Sequence, residues 1–183
     1  MDINHNNFTK KSMQELNRLS IEEAQKDSKF PIVLVLDNVR SMHNVGSVFR
    51  TADSFGIAKI MLCGVTPCPP HREIHKTALG ATETVHWQYY PTVDEALNEL
   101  KQNDYKIAAL EQVHNSISLE TFDEIPEHKI ALIFGNEVEG VSDEALEQCD
   151  YALEIPQFGS KHSLNISVTA GIATWELIRK YSK

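Results

Sequence analysis

The segment from Ile155 to Val168, IPQFGSKHSLNISV, places a dense group of polar side chains between an apolar stretch and an amphipathic helix. A helix N-terminus presents unpaired N–H groups and the positive end of the helix dipole, so such a segment suits a polar or anionic ligand. Ser163 or Asn165 also has a simpler explanation as the helix N-cap. Because that explanation covers only one or two residues, the segment as a whole predicts a binding site.

A second polar segment, DNVRSMHNVGSVFRTAD, spans residues 37–53 and contains Asn44 and Arg50. These two residues are six positions apart on a predicted helix, and at 3.6 residues per turn their side chains point in very different directions. We therefore expect Asn44 to act from the helix start and Arg50 from farther along. The competing interpretations are a helix N-cap for Asn44 and a surface cation for Arg50.

A third segment, FGNEVEG, spans residues 134–140 and sets Glu137 and Glu139 on either side of Val138. Paired carboxylates can perform acid–base chemistry or bind a metal, although two residues in a polar loop are weak support for either. The chain contains neither G-x-G-x-x-G nor a Walker A loop, which removes the usual support for dinucleotide or triphosphate binding. A nucleotide-like ligand must then be held by backbone groups of several loops.

Four possible zinc ligands, Cys63, Cys68, His71 and His75, lie within thirteen positions. Structural zinc fingers place a long spacer between the Cys pair and the His pair, and Cys63 belongs to a strand-like run. The spacing therefore favours free thiols, and we predict no metal. A zinc-stabilised binding module is kept as an alternative that a metal assay decides.

Alternating strands and helices must position these segments. Apolar runs of strand length are PIVLVLD, AKIMLCGV, residues 85–90, YKIAAL, KIALIFG and YALEIP. A helical pattern over residues 11–26, with Leu16, Leu19, Ile21 and Ala24 as its apolar positions, predicts one helix or two short ones that meet at the capping box Ser20-x-x-Glu23. Helices are also predicted over 44–55 with Gly56 as C-cap, after Thr92, from Ser142 to near Cys149, and at the C-terminus, where Val168, Ile172, Trp175 and Ile178 share one face. This alternation predicts an α/β fold with a mostly parallel sheet and helices on both faces, and ligands in such folds lie outside the C-terminal ends of the strands.

Composition restricts the possible partners. The 183 residues, 42% of them hydrophobic, favour one domain without an apolar membrane span, and the N-terminus has no signal-peptide core, so we expect a cytoplasmic protein. The net charge of −9 opposes nonspecific RNA binding by charge alone. An RNA-binding function then requires shape or a local basic patch, for which the candidate residues are Arg40, Arg50, Lys59, Arg72, Lys76 and Lys161.

Three motifs of this chain, NVGSVFRTAD, IFGNEVEGVSDE and IPQFGSKHSLNISVTAGIATWEL, resemble those of the SpoU (TrmH-like) RNA ribose 2′-O-methyltransferases of the SPOUT superfamily. The resemblance runs from about Pro31 to the C-terminus. It implies a SPOUT methyltransferase domain over 31–183 after an N-terminal helical extension over 1–30. It also implies a C-terminal trefoil knot, bound S-adenosylmethionine (SAM), a homodimer with its active site near the subunit interface, and tRNA or rRNA as the substrate.

The resemblance also assigns residues to roles. The implied cofactor-binding positions are Gly135, Ile155 and Leu164, with Leu110 and Glu111 at a nearby strand end. The implied catalytic set is Asn44, Arg50, Glu137, Ser163 and Asn165. Arg50 is cast either as the general base or as a group that grips phosphate and stabilises an alkoxide.

This chain departs from many of the family's members at Gln157, where they have Met, and it stops at the motif helix. The N-terminal helix with Lys10, Lys11 and Arg18 is expected to pack on the dimer or to contact RNA, and HREIHKTALGA (71–81) is a candidate RNA surface. The rival function is a SPOUT-like protein that binds RNA and catalyses nothing. We expect such a relative to have lost part of the catalytic set, all of which is present here.

Overall fold

The computed structural model describes residues 9–12, 15, 20–26, 29–123, 129–160 and 163–182, and its central feature is one parallel sheet. In this part of the chain the sheet has seven strands in the order β3-β2-β1-β6-β4-β7-β5, and every strand pair is parallel. The strands are β1 (Phe30–Asp37), β2 (Ile57–Cys63), β3 (Trp87–Tyr90), β4 (Tyr105–Leu110), β5 (Ile117–Ser118), β6 (Lys129–Phe134) and β7 (Tyr151–Glu154).

The described helices cover both faces of this sheet. They are α1 (Ile21–Lys26), α2 (Met42–Ser54), α3 (Arg72–Ala78), α4 (Ala81–Thr84), α5 (Val93–Gln102), α6 (Asp143–Leu146) and α7 (Ile166–Tyr181). Leu34 of β1 belongs to the apolar core shared with α2 and α7, whereas Val35 belongs to the core shared with α5. Residues 32–37 of β1 are all buried, as expected for a strand covered on both faces. The predicted α/β class is confirmed.

The ends of two helices, α2 and α6, differ from those predicted from the sequence. The N-cap of α2 is Ser41, whose Oγ accepts the N–H of Asn44 at 3.3 Å, so the interpretation of Asn44 as the cap is wrong. The predicted cap at Gly56 lies one residue late, since Phe55 is the C-cap and Gly56 follows it with φ of 60°. The short helix after Ser142 ends at Leu146 instead of near Cys149.

At the N-terminal side, the predicted capping box is present, because Ser20 N donates to Glu23 at 2.8 Å and Glu23 N donates to the Ser20 hydroxyl oxygen at 3.3 Å. Residues 9–12 are not helical, so the helix predicted from Lys11 does not begin there. The local bonds of Ser12 with Glu15 hold the chain in another turn. The positions 16–19, which include Arg18 and two predicted apolar contacts, lie outside the described residues.

The apolar face of α7 that the sequence pattern indicates is largely exposed. Of Val168, Ile172, Trp175 and Ile178, which the pattern places on one face, the first three are 48%, 40% and 56% exposed. Small residues such as Ala170 and Ala173 are buried instead, because α7 packs closely on α2 and the sheet. The helix therefore keeps a largely exposed apolar face, on which Trp175 contacts Phe55.

Lys180 anchors the end of α7. Its ammonium group is buried and donates to the backbone carbonyls of Leu119 (3.1 Å), Glu120 (3.2 Å) and Phe122, while Glu176 lies 3.6 Å away. Three N–H donors thus satisfy three carbonyls in the segment that follows β5. This cluster ties the end of α7 to the segment after β5, the strand that pairs with β7.

We expect Lys180→Ala to lower the free energy of unfolding by about 1–3 kcal/mol, because the substitution leaves buried carbonyl groups without donors. Urea unfolding measures the change. Lys101→Ala, which removes an exposed cation with one bond to Gln148, serves as the control and should change stability by less than about 0.5 kcal/mol. Equal effects of the two substitutions contradict the anchoring role.

Among the described residues, no helix is both long enough and apolar enough to cross a membrane. Strand pairing does not define how the C-terminal segment passes through the loops, so the trefoil knot stays a prediction. The domain division at residue 31 also stays a prediction.

Candidate active site

A cavity of about 480 Å³ opens at the C-terminal ends of β4, β6 and β7. This position is where ligands bind in parallel α/β sheets. The structure brings eight of the ten predicted site residues to its lining: Leu110, Glu111, Gly135, Glu137, Ile155, Ser163, Leu164 and Asn165. Sequence reasoning did not select Gln112, Asn136, Glu154 or Thr169, which also line the cavity.

The loop after β6 closes on itself at Gly135. Asn136 and Gly140 exchange backbone hydrogen bonds of 2.8 and 2.9 Å, which brings residue 140 back against residue 135. A Cβ atom at Gly135 would lie 2.0 Å from the carbonyl carbon of Gly140 and 2.1 Å from Val141 N. Only glycine fits this backbone contact, which gives the predicted position 135 a clear steric reason.

Glu111 holds the same loop from β4. One carboxylate oxygen accepts Val141 N at 3.0 Å, and the other accepts Gln112 N at 2.9 Å. Gly140 has φ of 75°, and a Cβ there would lie 2.3 Å from the Glu111 carboxylate. Glu111 therefore shapes the cavity wall through backbone bonds, in addition to lining it.

Asp37 and Asn38 hold the other side of the loop, and sequence reasoning missed both. Asp37 is 1% exposed and accepts Ser142 N and the Asn38 amide, each at 2.9 Å. The Asn38 carbonyl accepts the side-chain amide of Asn136 at 2.8 Å. Two polar residues directly after a buried strand were the available signal, since such strand ends meet at the ligand-binding edge of the sheet.

Glu137 connects this loop to the start of α2. Its carboxylate accepts Arg40 N and Ser41 N at 3.1 Å each, and the Asn44 side-chain amide at 2.9 Å. Burial opposes ionisation, but the N–H donors of Arg40, Asn44 and Ser41 outweigh it and hold the pKa of Glu137 below its usual value. A negative charge at a helix N-terminus is also favoured by the helix dipole.

Asn44 extends the connection to the third motif. It is 9% exposed, and its side-chain oxygen accepts the Asn165 amide at 3.2 Å. The Asn165 side-chain oxygen accepts Ser167 N at 2.9 Å, which makes Asn165 the N-cap of α7. The sequence had offered Ser163 or Asn165 as this cap. The Glu137–Asn44–Asn165 chain thus joins one residue from each of the three sequence motifs. Ser163 is exposed at the cavity two residues before this cap.

Arg50 lies outside this cavity. It is exposed and lines a separate cleft of about 620 Å³ formed by α2, α3 and α7, together with Lys76, Thr77 and Gly171. It sits six residues beyond Asn44, which corresponds to about 9 Å along the helix. Within one chain, the structure therefore separates Arg50 from the other predicted catalytic residues.

The described lining of the main cavity is acidic. It contains the carboxylates of Glu111, Glu137, Glu139 and Glu154 and no lysine or arginine, while Lys161 and His162 lie outside the described residues. Such a lining repels phosphate groups and favours a cation. The anionic ligand that a helix N-terminus suggested is therefore disfavoured here, also because Asn165 already caps α7.

The other cationic and metal-ligating candidates mostly have local partners. Lys59 donates to Gln88, Tyr90 and Glu99 at 2.8–3.0 Å, so it holds the β3 edge of the sheet. The zinc alternative gains no support in the described part of the chain, where no three possible ligands converge. Cys63 is buried in β2, and the His71 ring accepts Glu73 N as the N-cap of α3.

A pH prediction follows from the Glu137 contacts. Because folding lowers the pKa of Glu137, its ionised carboxylate stabilises the folded state. This stabilisation is complete above the ordinary pKa of 4.5 and is lost as the pH falls through the lowered pKa. The difference in unfolding free energy between wild type and Glu137→Gln should therefore be largest near neutral pH and shrink below about pH 4.5. Urea unfolding across this range measures it. Glu139→Gln, in the same loop, is the matched control, and a difference between wild type and Glu137→Gln that stays constant with pH contradicts the assignment.

Comparisons with known proteins agree with this architecture. The SpoU rRNA Methylase family model matches residues 31–175. The 23S rRNA (guanosine-2′-O-)-methyltransferase RlmB of Haemophilus influenzae is 31% identical over 175 residues, which cover 91% of this chain and 67% of that protein. The chain spans only 63% of the TrmH family tRNA/rRNA methyltransferase from Staphylococcus epidermidis, at 28% identity.

Solved structures share the fold. The TrmH/SpoU tRNA modifying enzyme of A. aeolicus has a TM-score of 0.78 at 25% identity, over 88% of this chain and 81% of that chain. The AdoMet-bound rRNA methyltransferase from Sinorhizobium meliloti has a TM-score of 0.77 at 25% identity, over 88% of this chain and 61% of that one. With three motifs joined at one cavity and the family match across residues 31–175, this chain belongs to the SpoU rRNA methylase family.

Proposed function

We propose that this chain transfers a methyl group from SAM to a ribose 2′-hydroxyl group of tRNA or rRNA. The observation that carries the proposal is the Glu137–Asn44–Asn165 chain, which joins all three motifs beside an acidic cavity. The names of the relatives, among them a 23S rRNA (guanosine-2′-O-)-methyltransferase, support the reaction class and leave the RNA target to experiment.

The cavity fits the donor in size and charge. A volume of about 480 Å³ lies in the range of small-molecule sites. The apolar side chains of Leu110, Phe134, Ile155 and Leu164 offer a surface for adenosine, and the carboxylates of Glu111 and Glu154 favour the positively charged sulfonium and ammonium groups. When bound, SAM supplies an electrophilic methyl group on a sulfonium centre.

The chain's own side chains would then orient the ribose. A hydroxyl group both donates and accepts hydrogen bonds, so Ser163 can align a ribose 2′-hydroxyl group, which also does both. Asn165 fixes the start of α7 and thereby the position of Ser163 two residues earlier. Alignment of reacting atoms at close range is a large part of what such a site contributes.

Arg50 acts as an electrostatic group in this proposal. Arginine side chains keep their proton in proteins at neutral pH, which disfavours a role as general base. A guanidinium group instead grips a phosphate and stabilises the negative charge that develops on the attacking oxygen.

The separation of Arg50 from the cavity supports a homodimer. The exposed apolar face of α7 lies next to the Arg50 cleft, which Gly171 and Phe55 both line. Trp175 packs against Phe55, with their ring centroids 5.8 Å apart. A second copy on this face buries the exposed Val168, Ile172 and Trp175 and brings the Arg50 of one subunit toward the cavity of the other. The threaded C-terminal segment and action in the cytoplasm belong to the same proposal.

The test combines binding with turnover. Titration calorimetry should detect binding of SAM and none of ATP, because the acidic lining repels phosphates. Purified protein with methyl-labelled SAM should then label unmodified tRNA or rRNA transcripts, supplied separately. RNA that binds without acquiring label supports the non-catalytic alternative and contradicts the proposal.

A further inference from the structure

Phe158 is the most exposed large apolar side chain in the described part of the protein, at 97%. A single exposed apolar side chain is ordinary on a protein surface, so this one gains meaning only from its surroundings. At this exposure the ring buries almost no apolar surface against the described residues, so the folded chain gains little from an aromatic residue here. The ring is therefore accessible to a molecule outside the chain.

The position of Phe158 relates it to the candidate active site. Its neighbour Gln157 lines the cavity, and so do Ser163 and Leu164 at the other end of the same connecting segment. Val138, on the Gly135–Gly140 loop, lines the cavity too and is 84% exposed. Phe158 itself does not line the cavity, but it directly follows a residue that does, so exposed apolar side chains are present on two of the loops that contribute to the cavity.

The charge at this opening restricts what can approach it. Glu137 and Glu139 lie on either side of Val138, and the described lining holds no cation. An RNA strand would therefore turn its phosphates away from this rim and present uncharged bases to it. Unpaired bases are recognised in RNA by stacking on aromatic side chains.

We infer that Phe158 is a stacking platform for an unpaired base next to the methylated ribose, with Val138 as the facing apolar contact. This inference rests on the proposed RNA substrate and adds a surface that selects unpaired over base-paired RNA. Every base has a π-face, so the platform positions the nucleotide without reading its identity.

The test compares Phe158→Ala, Phe158→Leu and Phe158→Tyr in two assays. In the first, kcat/KM is measured on the RNA transcript that wild type methylates. In the second, fluorescence anisotropy measures binding of a short single-stranded oligoadenylate, with its duplex as reference. We expect Phe158→Ala and Phe158→Leu to lose about 5-fold to 100-fold in both assays, Phe158→Tyr to stay near wild type, and the Kd for SAM to stay unchanged.

Tyr89→Ala is the matched control, because Tyr89 is a 45% exposed aromatic residue on the edge strand β3, at the far side of the sheet from β7. It should leave both assays unchanged. The stacking role is overturned if Phe158→Ala keeps the wild-type kcat/KM and oligoadenylate affinity, or if Phe158→Leu performs as well as Phe158→Tyr in both assays. Dissociation of an oligomer by Phe158→Ala in sedimentation also overturns it, because a second copy is then the contact.

The two assays separate this inference from the function itself. If wild type labels no RNA, the proposed function fails, and the oligoadenylate assay still decides the role of Phe158. If wild type labels RNA and Phe158→Ala does so equally well, only the stacking inference fails.

Discussion

Substitution of Gly135 by alanine is expected to abolish measurable binding of SAM and to lower stability. The new Cβ would lie about 2 Å from backbone atoms of Gly140 and Val141, which cannot move as a flexible side chain would. The loop must then open, which breaks the Asn136–Gly140 pair and the bond from Val141 N to Glu111. Overpacking of this kind costs about 1–3 kcal/mol, and displacement of a site by about 1 Å costs about 10²-fold in activity.

Titration calorimetry with SAM and thermal unfolding measure both effects. Gly159→Ala is the matched control, because a Cβ at Gly159 meets no atom within 4 Å, and it should keep wild-type affinity for SAM and wild-type Tm. A Gly135→Ala protein that binds SAM as tightly as wild type is incompatible with the loop as a cofactor cradle.

Substitution of Arg50 by alanine should lower kcat about 10²–10³-fold while the Kd for SAM and the Tm remain at wild-type values. The reason is positional, since Arg50 lies in a cleft apart from the SAM cavity and is exposed within the single chain. In the proposed role, Arg50 stabilises negative charge on the reacting oxygen, so its loss should slow the reaction without disturbing the cavity.

Two further variants sharpen the Arg50 test. Arg50→Lys keeps the charge but loses the planar fork of donors, so it should recover only part of the rate. Lys101→Ala removes a cation from α5, on the other face of the sheet, and should keep full activity. Near-normal turnover by folded Arg50→Ala protein would show that Arg50 is not a catalytic residue.

The sheet could be predicted from sequence because a strand buried on both faces is a continuous run of apolar residues. PIVLVLD and KIALIFG became β1 and β6, with only their ends shifted. The two-residue strand β5 and the four-residue helix α4 were missed, since neither is long enough to show a period. The sequence pattern indicated the exposed apolar face of α7 but not its buried face, because hydrophobicity alone does not reveal that close packing on α2 selects alanine over larger side chains.

The candidate site was predicted through motifs, and the structure shows what the motifs do. The resemblance assigns Asn44 and Glu137 to the catalytic set, and in the structure most of their hydrogen-bonding groups hold the backbone of α2 and each other. Asp37 acts through Ser142 N, a contact between residues 105 positions apart that no local pattern encodes. The exposure of Phe158 likewise depends on the tertiary path of its loop.

The position of the transferred methyl group decides whether this protein methylates a ribose 2′-hydroxyl group. Wild-type protein is incubated with methyl-labelled SAM and unmodified tRNA or rRNA, and the RNA is then hydrolysed with alkali. A 2′-O-methyl group blocks cleavage of the adjacent phosphodiester, so the account predicts that the label is recovered in alkali-resistant dinucleotides. Recovery of the label only in base-methylated mononucleotides contradicts it.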